Sequence, residues 1–313
     1  MNFDFTKKKI INLENIIKKF NNKKLKKIVN LYQIKYINNK SPGIGDFLRG
    51  SFCLYQIAKL LNLEFEIDVS NHPISQYIEN SCENNRIDYN NILFYMEVNR
   101  NPKKTDLDYE KIPINLNVDF LEKTINLLNS QNCEVYYLFS NAFPCYNKYL
   151  QIEKNIINSK LQPNEDMKKY IDNTLNELKL SKNGYGVIHI RSGDEYILSS
   201  KSINTNFLNK IKTIINSFII PERRYLILSD SNDLKKHLVV YKNVYMLNKN
   251  IEHLGGEFMG EHYNMEGIKN TMLEYYLMSY SNAIISLSVY LHVSGFSKYC
   301  AVLNNIPFKF IKI

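Results

Sequence analysis

The sequence predicts an α/β fold of two Rossmann-like parallel-sheet domains facing a cleft. Three observations lead there. The chain has 313 residues, more than one hydrophobic core ordinarily serves, so two domains of roughly 150 residues are expected. A strand, a glycine turn, a helix and a second strand follow one another between Leu31 and Val69. From Glu165 to near the C-terminus strands and helices alternate, as in a parallel sheet with crossover helices. The divisions expected are 1–30, a basic helix; 31–162, an N-terminal domain; and 163–313, a C-terminal domain.

In the first segment Ile10, Leu13, Ile16, Ile17 and Phe20 recur at helical spacing among lysines. Residues 1–40 hold eleven lysines against Asp4 and Glu14, which accounts for the whole formal charge of +9. Such a helix either packs on the domain with a solvated lysine face or attaches to an anionic membrane surface. Nucleic acid is not expected as a partner, because the arginines and glycines that accompany basic arms are missing. A strand is then read over Leu31–Ile37, a turn at SPGIGD, a helix over Leu48–Leu61 and a strand over Glu64–Val69. Residues 71–160 mix Asn-rich loops with short apolar runs such as Val135–Phe139. Beyond them come a helix from Asn164, strands at Tyr185–Ile190, Tyr225–Leu228, Val244–Leu247 and Ala283–Leu287, and helices near Phe207–Phe218, after Asp230, at Ile268–Tyr280 and at Ser297–Leu303.

Composition narrows the function. No window approaches the roughly 20 apolar residues that span a bilayer, and MNFDFTKKKI lacks the apolar core of a secretory signal, so a cytoplasmic chain is expected, with a membrane-peripheral option through its basic helix. The Lys-, Asn-, Ile- and Tyr-rich composition fits an AT-rich genome. Cys53, Cys82, Cys133, Cys145 and Cys300 have no CxxC spacing and read as buried thiols. Asp106 and Asp108 form a DxD in a polar connection, and His253 and His262 lack ligand spacing, so no metal is expected.

Ligands of open parallel sheets bind beyond the carboxyl ends of the strands, and the chemistry-bearing residues fall there. Arg191 ends a strand and is followed by Ser192 and Gly193, a candidate bidentate phosphate clamp or the partner of Asp194 in its own loop. His189 shares its face, as a ligand contact or a hydrogen-bonded core histidine. Asp230 caps the following helix or accepts from a base or ribose. Ser294, Phe296 and Ser297 open a helix whose N–H groups suit phosphate, with Ser297 alternatively a plain cap. Gly43 and Gly45, with Asp46, make a tight turn into the first long helix.

These residues carry a likeness. HIRSGDEY resembles the HxRxxD signature of the fucosyltransferase superfamily of α1,2-, α1,6- and protein O-fucosyltransferases, and SPGIGDFLRGSFCLYQIAKLLN resembles its early glycine turn, with Asp46 where Asn is usual. YLILSD and AIISLS with SGFSKYCAVL are similar to its later strand ends, although extra residues separate AIISLS from the serines and no aromatic pair follows Ser297. The resemblance implies a GT-B fold, an N-terminal acceptor-side domain, a C-terminal nucleotide-sugar donor domain, and inverting transfer of fucose from GDP-fucose to a glycan or protein hydroxyl, without a bound metal or other cofactor. It implies that Arg191 binds the pyrophosphate, that His189 and Asp230 lie near ribose or guanine, that Ser294, Phe296 and Ser297 meet the β-phosphate, and that Asp46 is the base, with Asp194 and Glu195 as alternatives. Another nucleotide sugar on a GT-B fold, or a non-catalytic binding protein, are the competing readings. A bacterial or viral type of enzyme is expected.

Overall fold

The computed structural model of the chain describes residues 13–34, 42–79, 93–94, 118–144, 149–193, 204–238, 243–255 and 263–313. They fall into two compact units, one built from Met1–Tyr32, Phe47–Asp68 and Cys82–Ile157, the other from Gln33–Asp46, Val69–Ser81 and Asn158–Ile313.

The first unit is a parallel sheet of four strands, β1 (Lys27–Leu31), β2 (Glu64–Asp68), β3 (Leu93–Phe94) and β4 (Val135–Phe139), in the order β2-β1-β4-β3. Strand β1 lies four residues before the strand predicted over Leu31–Ile37. A strand flanked on both sides in a parallel sheet needs no polar alternation, so KIVNL is the strand despite its lysine. Lys27 stands at its edge against Glu64 and Glu66 of β2, at 3.4 Å from each. Helix α1 (Ile44–Leu60) and helix α2 (Val118–Asn129) contribute Cys53, Leu54, Ile57, Leu121, Ile125 and Leu128 to the core over β1 and β4. The N-terminal segment is helical over residues 13–17, and its apolar side is used inside the unit: Ile16 and Leu25 are core residues, with Leu13, Ile17 and Phe20 packed against them. Its lysines turn outward, Lys19 to Glu122 and Lys26 to Glu134. Ile10 lies outside the described residues.

The second unit is a five-stranded parallel sheet, β5 (Gly186–Arg191), β6 (Tyr225–Ser229), β7 (Val244–Met246), β8 (Ala283–Ser288) and β9 (Phe308–Lys312), in the order β7-β6-β5-β8-β9. Strand β9, which the sequence reading missed, is a C-terminal edge strand, FKFIK, with Lys309 and Lys312 exposed and Phe308, Phe310 and Ile311 partly buried. Helix α3 (Gln151–Ser159) runs across the boundary between the two units at Ile157, and the helices of the second unit are α4 (Glu165–Glu177), α5 (Thr205–Asn216), α6 (Asn232–His237), α7 (Met265–Ser279) and α8 (Gly295–Asn304). α4, α5, α6 and α7 are each capped by an Asn or Ser side chain accepting from a first-turn N–H, at Asn164, Asn204, Ser231 and Asn264. Asp230 is therefore not the cap of α6; Ser231 is. Helix α7 is buried almost all round, which fits its apolar run TMLEYYLM. Among the described residues no helix is long and apolar enough to cross a membrane. Cys53 and Cys300 are buried thiols and Cys133 is half-buried; Cys82 and Cys145 lie outside the described residues.

Candidate functional site

Strand β5 is the centre of the second sheet. Its residues His189 and Arg191 register against Ser286 and Ser288 of β8, and His189 also against Leu228 of β6. Period-two alternation puts His189 and Arg191 on one face, and the carboxyl end of the strand is where their partners collect. Arg191 Nη1 donates to Asp230 Oδ2 at 2.6 Å and lies 3.0 Å from His253 Nε2. The other carboxylate oxygen of Asp230 accepts from Ser192 N–H at 2.8 Å and Ser192 Oγ–H at 2.7 Å. Asp230 thus braces the guanidinium and the turn after it. Its side chain is 7% exposed and that of Arg191 18%, so the pair is largely desolvated and stronger than a surface pair. Gly193 continues the turn at φ +113, with Val289 Cγ2 3.1 Å from where a Cβ would stand; both facts favour glycine. Among the described residues Arg191 is thus paired with Asp230. Asp194 and Glu195 lie outside the described residues.

His189 is 3% exposed, and Nδ1 has no hydrogen-bond partner among the described residues. Burial, helped by the neighbouring Arg191 charge and opposed by Asp230, pushes its pKa down to about 4, so the imidazole is neutral at pH 7. Its ring centroid is 5.7 Å from that of Phe296, which is 5.9 Å from Tyr275. The Tyr275 hydroxyl is a second buried polar atom without a hydrogen-bond partner among the described residues. Two unsatisfied polar side chains therefore flank Phe296, an arrangement that a bound polar ligand or water relieves.

Phe296 belongs to the first turn of α8. Ser294 is the N-cap residue and makes no side-chain cap bond, which leaves the first-turn N–H groups without the usual oxygen. Ser297 is one turn in and fully buried; its hydroxyl bonds Ser286 Oγ at 3.0 Å, anchoring α8 to β8. The backbone of the Pro42–Gly45 turn closes on the start of this helix. A Cβ on Gly45 would lie 2.4 Å from Gly295 C and Phe296 N, closer than any side chain permits, so glycine is required for the contact. Gly43 accepts from Asp46 N–H at 2.9 Å to open α1, and Asp46, half-buried, sits in the first turn of that helix. The N-terminus of α8, with its partial positive charge, therefore lies against the Gly45 backbone.

The sequence reading missed what lies behind Asp230. Lys235 of α6 and Glu274 of α7 form an ion pair with both side chains 1% exposed. Burial pushes the Glu274 carboxyl above its ordinary range, against the pull of Lys235. A lone acid inside TMLEYYLM was the signal available. His253 was weighed only as a metal ligand, and His262, Asp106 and Asp108 lie outside the described residues. Among the described residues no group of three His, Cys, Asp or Glu side chains is placed to hold a metal.

No protein-family model matches the chain, and no curated protein matches it in sequence. Solved structures match it in fold. An Arabidopsis thaliana FUT1 variant in complex with GDP superposes with a TM-score of 0.51 at 8% identity, over 96% of this chain and 74% of that one. The fucosyltransferase NodZ from Bradyrhizobium gives 0.48 at 13% identity, over 90% and 94%. The chain thus shares its α/β fold of two Rossmann-like units with that FUT1 variant, the fold class that the sequence predicts.

Proposed function

We propose that the chain is an inverting glycosyltransferase that moves fucose from GDP-fucose to a hydroxyl of a glycan or protein. One observation carries the reading: the desolvated Arg191, held by Asp230, stands at the carboxyl end of β5 with the buried His189, whose ring neighbours Phe296 at the open N-terminus of α8. That is an anion site shaped for a pyrophosphate. GDP as the nucleotide and fucose as the sugar are supported by the HxRxxD pattern, and by the GDP bound in the FUT1 variant whose fold the chain shares.

In this reading the phosphates lie against Arg191 and the N–H groups of Ser294–Ser297, while His189, Phe296 and Asp230 border the nucleoside. Asp46 takes the proton of the acceptor hydroxyl. The freed oxygen bonds to the anomeric carbon as the bond from that carbon to the β-phosphate oxygen breaks, and GDP leaves with the electron pair. The charge that grows on the leaving oxygen is offset by Arg191 and the N-terminus of α8, donors fixed before the reaction begins. Asp194 is a second candidate for the base.

The test is donor turnover. Full-length protein is incubated with GDP-fucose, GDP-mannose and UDP-glucose, nucleotide release is measured, and the anomeric configuration of the product is compared with the donor by NMR. Release from GDP-fucose alone, with inverted product and at least a hundredfold loss in Arg191→Ala, is expected (about 3 kcal/mol or more of transition-state stabilisation). Turnover of UDP-glucose alone would establish a different donor, and retained configuration would remove the role given to Asp46.

A further inference from the structure

Residues 249–254, between β7 and α7, have no regular secondary structure, yet the backbone of Lys249, Asn250, Ile251 and Glu252 is held at each residue. The Lys249 carbonyl accepts from Lys235 Nζ at 3.1 Å and the Asn250 carbonyl from Asn270 Nδ2 at 2.8 Å. Ile251 is bonded through both of its backbone groups to the Asn232 amide, at 2.9 and 3.2 Å. Glu252 N–H donates to the Gly267 carbonyl at 3.1 Å, and the Glu252 carbonyl accepts from Thr271 Oγ1 at 2.6 Å. Leu254 meets the buried His72 ring through its backbone. A loop free to move would have spent these groups on water. Here α6 and α7 supply dedicated side chains to fix a strap, and the residue the strap delivers is His253, 3.0 Å from Arg191.

The contact has a chemical sign. A guanidinium carries only donors, so His253 Nε2 is the acceptor, and the imidazole is the neutral Nδ1–H tautomer. Asp230 and His253 then meet the same Nη1 and fix the plane of the guanidinium from two directions. A protonated His253 would present a second donor and a second positive charge to Arg191.

We propose that His253 is the positioning residue of the Arg191 clamp: its neutral Nε2, set in place by the pinned strap, orients the guanidinium toward the donor phosphates and makes phosphate binding fall when the imidazole is protonated. The inference rests on the nucleotide-sugar reading of the site. Among the described residues, the charged and titratable groups around His253 are Arg191 and His189 of β5, Asp230 after β6, Glu252 on the strap, and the Lys235–Glu274 pair of α6 and α7 behind them.

Two measurements on the full chain decide it. The first is 15N NMR of histidine-labelled protein without ligand, from pH 5 to 8. At pH 7.5 the His253 resonances, assigned by their loss in His253→Gln, are expected to report a neutral Nδ1–H ring, shifting when Arg191→Ala is introduced. A protonated or Nε2–H ring overturns the inference, whether or not GDP binds. The second is calorimetric titration with GDP. His253→Leu is expected to bind at least tenfold more weakly at pH 7.5, while His253→Gln, whose amide oxygen also accepts but does not titrate, stays within threefold of wild type. Between pH 7.5 and 5.5 wild type is expected to weaken more than His253→Gln, the titration of the GDP phosphate being common to both. Equal affinity of His253→Leu and wild type, or equal pH profiles for wild type and His253→Gln, overturns the inference. A wild-type chain that bound no GDP would overturn the functional reading instead, and the NMR result alone would then decide the role of His253.

Discussion

At the scale of single residues, the site combines charges and neutral polar groups whose burial sets what each can do. Arg191 and Asp230 are a desolvated pair with hydrogen bonds on both carboxylate oxygens, the geometry in which losing one partner costs more than the pair itself contributes. His189 is the complementary case, a histidine kept neutral by burial. Above pH 6.5 it is neutral in both the folded and the unfolded chain. As the pH falls from 6.5 toward 4, the unfolded chain binds a proton that the native site refuses, so stability drops by up to about 3 kcal/mol. His72, whose pKa burial pushes down to about 3, loses stability over the same range and somewhat below it. Urea unfolding at pH 7.5 and 4.5 measures this: His189→Leu should lose less stability on acidification than the wild type, and an identical loss would mean that His189 is charged or exposed in the native chain.

At the scale of elements, the buried Lys235–Glu274 pair joins α6 to α7 and also holds the strap at Lys249. Lys235→Met should cost about 3–5 kcal/mol in urea unfolding, because Glu274 is left buried and unpaired. The double variant Lys235→Met/Glu274→Leu should return to within about 2 kcal/mol of wild type. A double variant as unstable as the single one would show that the pair is not the reason for the loss. The elements also mark where the sequence was legible. Strands β5, β6 and β8 were readable as apolar runs ending in Arg, Ser-Asp or Ser, and α4 and α7 through their periodic or continuous apolar positions. Strand β1 was misplaced because its lysine-flanked KIVNL looks like the tail of the basic helix, and only pairing with β2 and β4 picks it out. Helices α2 and α3 were lost in an Asn-rich stretch where propensity is weak and packing decides. Of the site, Arg191, His189 and Asp230 could be named from strand ends, but their mutual partners could not. Asp230 looked like a cap, Ser297 offered its hydroxyl to the sheet, and the His253 contact depends on a strap whose hydrogen bonds come from helices distant in sequence.

At the scale of the molecule, the charge asymmetry and the fold separate two jobs. The lysine-rich N-terminal segment carries the net charge, and its described apolar side chains belong to the core of the first unit; its exposed pairs, Lys19–Glu122 and Lys26–Glu134, contribute little stability. The proposed donor chemistry is concentrated in the second unit, at the carboxyl end of its central strand, where open parallel sheets bind ligands. The most direct measurement of that central claim is the ligand-induced thermal shift of the full chain with GDP, UDP and ADP, in wild type and Arg191→Ala. A rise in Tm with GDP alone, absent in Arg191→Ala, is the expected result. No shift with any of the three nucleotides, or an undiminished GDP shift in Arg191→Ala, would contradict it.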